Sequence, residues 1–225
     1  MSLNEGIYKL KNGALFAIVG DILALAGIVM AVMSIGLGFN TPDLNAAFVL
    51  LGAIFIPFLI ATVLGIVAFI FWFQATGKLK QVRDDLGIGR TGMILMIIGI
   101  LLIVLSMIIA IPIFTMNAPQ YQAYGPEMPM PPFAGVMIGM VTFMAIGGLI
   151  AIIGTILFGI MLIRLSKVEG VDQGFNTAGI LYLIGVVAML IFAIAGSVLM
   201  FVSQVLIYMS ASKTLENLKT HQSFS

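Results

Sequence analysis

The sequence predicts an all-α integral membrane protein, a bundle of five long transmembrane helices. Three observations carry this reading. Hydrophobic residues make up 61% of the 225 and charged residues 8%, far from the mix of roughly half apolar and a quarter charged found in soluble domains. The apolar runs exceed the ~20 residues that cross a hydrocarbon core of about 30 Å. The short segments of alternating polarity that build a transmembrane β-barrel are not visible. Net charge is +1, from ten basic and nine acidic residues, so the chain has no electrostatic footprint for nucleic acid. Cysteine is absent, which excludes disulfides, thiolate metal sites and cysteine nucleophiles.

A polar stretch, residues 1–12, precedes the membrane domain and carries Lys9 and Lys11. The first span, about 13–38, is longer than the ~7–15 residues of a signal-peptide core and is read as retained. Its small residues Gly13, Ala17, Gly20, Ala24, Gly27, Ala31, Ser34 and Gly38 alternate at spacings of four and three. On a helix they draw one line, a glycine-zipper seam along which a neighbouring backbone can approach closely. Further spans run at about 46–75, 92–114, 133–163 and 178–209, within a single membrane domain of residues 13–209. A polar tail, 210–225, follows.

Basic residues sort among the connections. Lys78, Lys80, Arg83 and Arg90 lie between the second and third spans, and Arg164 and Lys167 follow the fourth. The 40–45 turn and the 115–132 loop have none. The positive-inside rule therefore expects a multi-pass protein of the cell membrane with a cytoplasmic N-terminus. Five prolines between 118 and 132 lead us to expect an extended outer loop. The last segment admits two readings. One helix of about 32 residues puts Lys213 and Lys219 outside, whereas a short hairpin broken near Gly196 and Ser197 returns the chain to the cytoplasm. Length favours five spans; charge favours the alternative of six. Gly13 to Gly20, Gly92 to Gly99 and Ala178 to Gly185 share a small residue, six mostly apolar residues and a glycine, which either a duplicated helical hairpin with a truncated third copy or the shared Gly- and Ile-rich composition of the spans produces.

Asp21 is the sharpest candidate site, an acid inside a span where insertion costs about 2.5–3.5 kcal/mol. No Lys or Arg lies within another span to pair with it. Two states are open: a protonated carboxyl hydrogen-bonded across helices, or a carboxylate lining a wet cavity. Tyr182, Thr62, Thr142, Ser106 and Gln204 are partners by residue type. Sixteen methionines, with Met116, Met128 and Met130 in the outer loop, raise a minor copper(I) reading through soft thioether ligands. The same residues serve equally as flexible packing. The one histidine, His221, sits in the polar tail, so no serine–histidine pair can form in the membrane. A non-enzymatic protein without a cofactor is expected, its partners being membrane lipid and either itself or other membrane subunits. Its role is then packing and assembly, as an accessory subunit of a membrane complex. The alternative is a small proton- or cation-coupled transporter or channel using Asp21.

The line Leu86-Gly-Ile-Gly-Arg-Thr-Gly-Met-Ile-Leu-Met-Ile-Ile-Gly99, with 78–85 before it and the closing segment 208–215, resembles an archaeal family of multi-pass membrane proteins designated DUF973, a domain of unknown function. The resemblance implies an archaeal cell membrane as home and no assigned reaction, so it transfers no functional residue.

Overall fold

The computed structural model describes residues 2–36, 44–124 and 134–223. Six α-helices and one short 3-10 turn account for nearly all of them, and no strand occurs among the described residues. The helices are α1 (Ser2–Gly36), α2 (Leu44–Lys80), α3 (Gly87–Tyr124), α4 (Ala134–Leu165), α5 (Gly174–Ile191) and α6 (Ala193–Ser223), with the 3-10 turn Asp84–Leu86 between α2 and α3. All six are long and apolar enough to cross a membrane. Their outward side chains are apolar: Leu25, Val32, Leu59, Leu101, Val141 and Leu149 are each at least 60% exposed. In lipid such a surface is the solvated one.

The segment expected as one long span is therefore two helices, the alternative of six. The break falls at Phe192, whose backbone is extended (φ −137°, ψ 92°), four residues before the expected Gly196. Gly196 still shapes the hairpin, because its bare Cα lies directly on the Met189 backbone. The arms are longer than the apolar segment alone allowed. α5 starts at Gly174 and its 18 residues span ~27 Å, while α6 continues through the polar tail for 31 residues. Ser203 Oγ donates to Ala178 O at 2.7 Å and the Asp172 N–H donates to Thr214 Oγ1 at 2.9 Å, fastening the two arms.

A second correction concerns the loop after the third span. Residues 115–124 continue α3 past Pro112 and Pro119 as helix, and the remainder of the expected loop, 125–132, lies outside the described residues. Similarly, α1 begins at Ser2, well before the seam, with Ile7 and Leu10 fully buried.

Two compact units make up the chain. One comprises Met1–Arg90 with Gly159–Ser225, the other Thr91–Phe158. In the first, α1 packs on α2 and α6, and α5 packs on α6. Gly13 lies under the Trp72 indole, Gly20 faces Ala61 O and Gly27 faces the Phe58 ring, so α1 and α2 run antiparallel along the small-residue line. Phe16 and Phe71 stack at 5.6 Å beside it. Ala17 is buried, and Ala24 and Ala31 are partly buried. The side chain of Ser34, and Gly38 altogether, lie outside the described residues. In the second unit, α3 and α4 meet through reciprocal glycines. A Cβ on Gly92 would lie 2.5 Å from Gly154 O, and one on Gly99 2.5 Å from Gly147 O. Gly185 of α5 likewise faces Met200 of α6. Each small-x6-Gly segment thus opens a helical hairpin and packs on the helix that follows, which gives the repeat a structural meaning.

Charges gather at one end of the first unit. Lys78 Nζ lies 2.8 Å from Glu5, Lys9 donates to Gln74, Lys11 sits over the Tyr208 ring, and Arg164 donates to Asp85 O at 3.1 Å. Arg83 chelates Asp85 through two nitrogens, and Arg90 lies over Phe73. With Lys80, Lys167, Lys213 and Lys219 on the same turns or helix ends, all ten basic residues are there. At Gly170, the turn between α4 and α5 uses a positive φ of 78°, a conformation that costs glycine little. Sidedness follows directly. Single cysteines replacing Tyr8 and Lys213, both exposed, are expected to react alike with a membrane-impermeant thiol reagent in sealed vesicles. Opposite reactivity would restore five spans.

Candidate functional site

Asp21 follows Gly20 on α1, one residue off the line that packs on α2. That offset turns its carboxyl from the seam into a cavity of about 350 Å³ where α1, α2 and α6 meet. Asp21 lies ten residues, ~15 Å along the axis, beyond Lys11 and the charged end. From α6, Gln204 reaches the same cavity, with its side-chain amide within electrostatic reach of Asp21. Gln204 is only 8% exposed, and its Oε1 accepts no hydrogen bond among the described residues. A buried amide oxygen left without a partner costs about 1–3 kcal/mol. Among the described residues only Trp72 Nε1 and Asn4 Oδ1 share that classification of side-chain atoms, and Trp72 has other interactions.

The opposite wall belongs to α2. Phe58, Thr62, Gly65, Phe69 and Trp72 line it at spacings of four and three, a single helical face. Thr62 donates its hydroxyl to Phe58 O at 2.8 Å, leaving oxygen lone pairs. Three aromatic rings, one carboxyl and one amide oxygen therefore surround the space.

Of the partners expected by residue type, the fold brings three to Asp21. Gln204 and Thr62 share its cavity, and the buried Tyr182 of α5 lies within electrostatic reach. Ser106 and Thr142 instead belong to the other unit and donate to carbonyls of their own helices, Leu102 O and Ile138 O. The methionines of the copper reading give no geometry. Met128 and Met130, and the side chain of Met116, lie outside the described residues. Among the described residues no three His, Cys, Asp or Glu side chains cluster as a metal site. The aromatic face of α2 escaped the sequence reading, although 58, 62, 65, 69 and 72 have helical spacing. α2 is apolar on every side, so its inward face carries no contrast.

A second cavity, about 260 Å³, lies within the other unit between α3 and α4 and is lined by Leu102, Leu105, Ile109, Met140 and Phe143, with Ser106 its one hydroxyl. It offers packing space rather than chemistry.

The profile of one protein family matches residues 4–225, nearly the whole chain. The chain belongs to the family described as Protein of unknown function (DUF973). The resemblance in residues 86–99 thus extends over all six helices of this DUF973 member. No curated protein and no solved structure matches it.

Proposed function

We propose that this multi-pass membrane protein binds a proton or small cation at Asp21 and passes it across the membrane, as a transporter or channel without covalent chemistry. One observation carries the reading. Asp21 opens onto a largely apolar groove between α1, α2 and α6, with a buried acceptor, Gln204 Oε1, beside it and every Lys and Arg at the distant charged end. A site made of acceptors without a basic partner is built for positive charge. With the ten basic residues facing the cytoplasm, the protein sits in the cell membrane with its N-terminus and C-terminal tail inside.

The test is flux of protons and monovalent cations into liposomes holding the purified protein. Asp21→Asn keeps the shape and removes the charge, so it is expected to retain assembly and lose flux. Equal flux in both proteins would remove the proposal.

Assembly with itself or as an accessory subunit is the second reading, favoured by one observation. The α1 seam is consumed within the chain, but Gly148 of α4 has open space before it, room that a partner helix would fill. Mild-detergent purification from the native membrane, with copurifying subunits, is its signature.

A further inference from the structure

Several features compete for a second role. The apolar cavity in the other unit contains one hydroxyl, already bonded to its own helix. The ion pairs at the charged end satisfy one another. Among the described residues two side-chain oxygens lie buried without a donor, Asn4 Oδ1 near the start of α1 and Gln204 Oε1, and of these Gln204 lines a cavity, the one at Asp21.

We infer that the Asp21 cavity takes a protonated primary or secondary alkylamine, whose N–H groups donate to the Asp21 carboxylate and Gln204 Oε1 while its hydrocarbon lies against Phe58 and Trp72. The inference rests on the reading of Asp21 as a cation site and adds the class of cation. Four points select it. The Asp21 carboxylate and the unpartnered Gln204 Oε1 are acceptors and Thr62 spends its hydroxyl on Phe58 O, so the pair calls for N–H or O–H donors. Aromatic faces attract organic cations, by roughly 0.5–2 kcal/mol each where water is excluded. Hard metal ions take about six to eight oxygens, whereas three oxygen-bearing side chains line this space, Asp21, Thr62 and Gln204. Finally, a cavity of about 350 Å³ greatly exceeds the ~30 Å³ share of one water, and suits a ligand with a hydrocarbon body. A lipid ethanolamine headgroup has the same ammonium, but it resides at the interface, ~15 Å from Asp21 along α1.

The chain supplies its own reporter, because Trp72 is its single tryptophan and lines the cavity. The purified protein in detergent is titrated with hexylammonium while Trp72 emission is followed. Hexanol, hexyltrimethylammonium and sodium serve as ligands lacking the charge, the N–H donors and the hydrocarbon. A saturable shift with hexylammonium is expected, with affinity at least about tenfold above hexanol and hexyltrimethylammonium, the worth of a charge-assisted hydrogen bond. Comparing ligands on the unaltered protein does not depend on any variant folding. Asp21→Asn and Gln204→Met, with helicity checked by circular dichroism, should weaken hexylammonium by about tenfold or more and by several-fold. Equal binding of hexylammonium and either analogue would overturn the inference. So would a signal that ethanolamine lipid in nanodiscs produces and hexylammonium does not. Asp21-dependent proton flux with no amine response sinks the amine alone; a selective amine response without any flux sinks the transport reading and leaves the binding site.

Discussion

Gly99→Leu is expected to unfold or dissociate the α3–α4 hairpin, the largest stability loss of any single substitution among the interior glycines we compare. A Cβ at Gly99 would lie 2.5 Å from Gly147 O and 2.7 Å from the Ala151 amide nitrogen. Both obstacles are backbone, so no rotamer change relieves the clash and the helices must separate along their length. Overpacking in close-packed interiors costs about 1–3 kcal/mol when side chains can shift. Here at least about 3 kcal/mol is expected, because in lipid the close contact is itself the source of association. Two adjacent positions provide the control. A Cβ at Gly147 would lie 2.8 Å from Gly99 O, whereas at Gly148 nothing lies within 4 Å. Gly147→Ala should therefore destabilise, and Gly148→Ala should be neutral or gain up to about 1 kcal/mol from helix propensity. Thermal or denaturant unfolding in detergent, followed by circular dichroism, measures both.

Gly65→Leu should abolish flux while leaving the fold intact. Gly65 lines the Asp21 cavity, and a Cβ there meets nothing within 4 Å. A leucine can thus enter the cavity without moving the backbone, displacing whatever solvates or binds Asp21. Contrast Gly20, directly across the space: its added Cβ would approach Ala61 O at 3.3 Å, and Gly20→Leu is expected to disturb the α1–α2 contact itself. Liposome flux and unfolding temperature, measured together, separate the two. Gly65→Leu with undiminished flux would mean that the cavity is not on the path.

Much of this architecture was legible because lipid imposes simple rules. Gly13, Gly20 and Gly27 announced a packing face by spacing alone, and that face is where α2 lies. Gly92 and Gly99 stood out in the repeated small-x6-Gly pattern, and they are where α3 meets α4. Asp21 stood out because an acid within a span demands a local reason. The rest depended on quantities that spacing does not contain. Helical structure continues beyond the apolar run, into 174–177 and through 210–223, so arm lengths judged from hydropathy alone were too short. The bend at Phe192 has no proline or glycine at the residue itself, and only the packing of Gly196 on Met189 marks the turn. Gln204 was one of five partners by type, and only the antiparallel return of α6 could single it out. Phe58, Phe69 and Trp72 were hidden by the uniform hydrophobicity of α2.

The central claim is that Asp21 lines a cavity open to cations while the rest of α1 at that depth faces packed helix or lipid. The chain has no native cysteine, so one introduced thiol reports its own surroundings. Ala24→Cys lies on the cavity and keeps Asp21, whereas Ile22→Cys lies on the outward face, where the native side chain is 53% exposed. In membranes, Ala24→Cys should react with cationic aminoethyl methanethiosulfonate at least about tenfold faster than with anionic sulfonatoethyl methanethiosulfonate, the factor that ~1.4 kcal/mol of charge preference yields, and Ile22→Cys should resist both. Equal rates with the two reagents at Ala24→Cys, or no reaction there at all, would contradict the account.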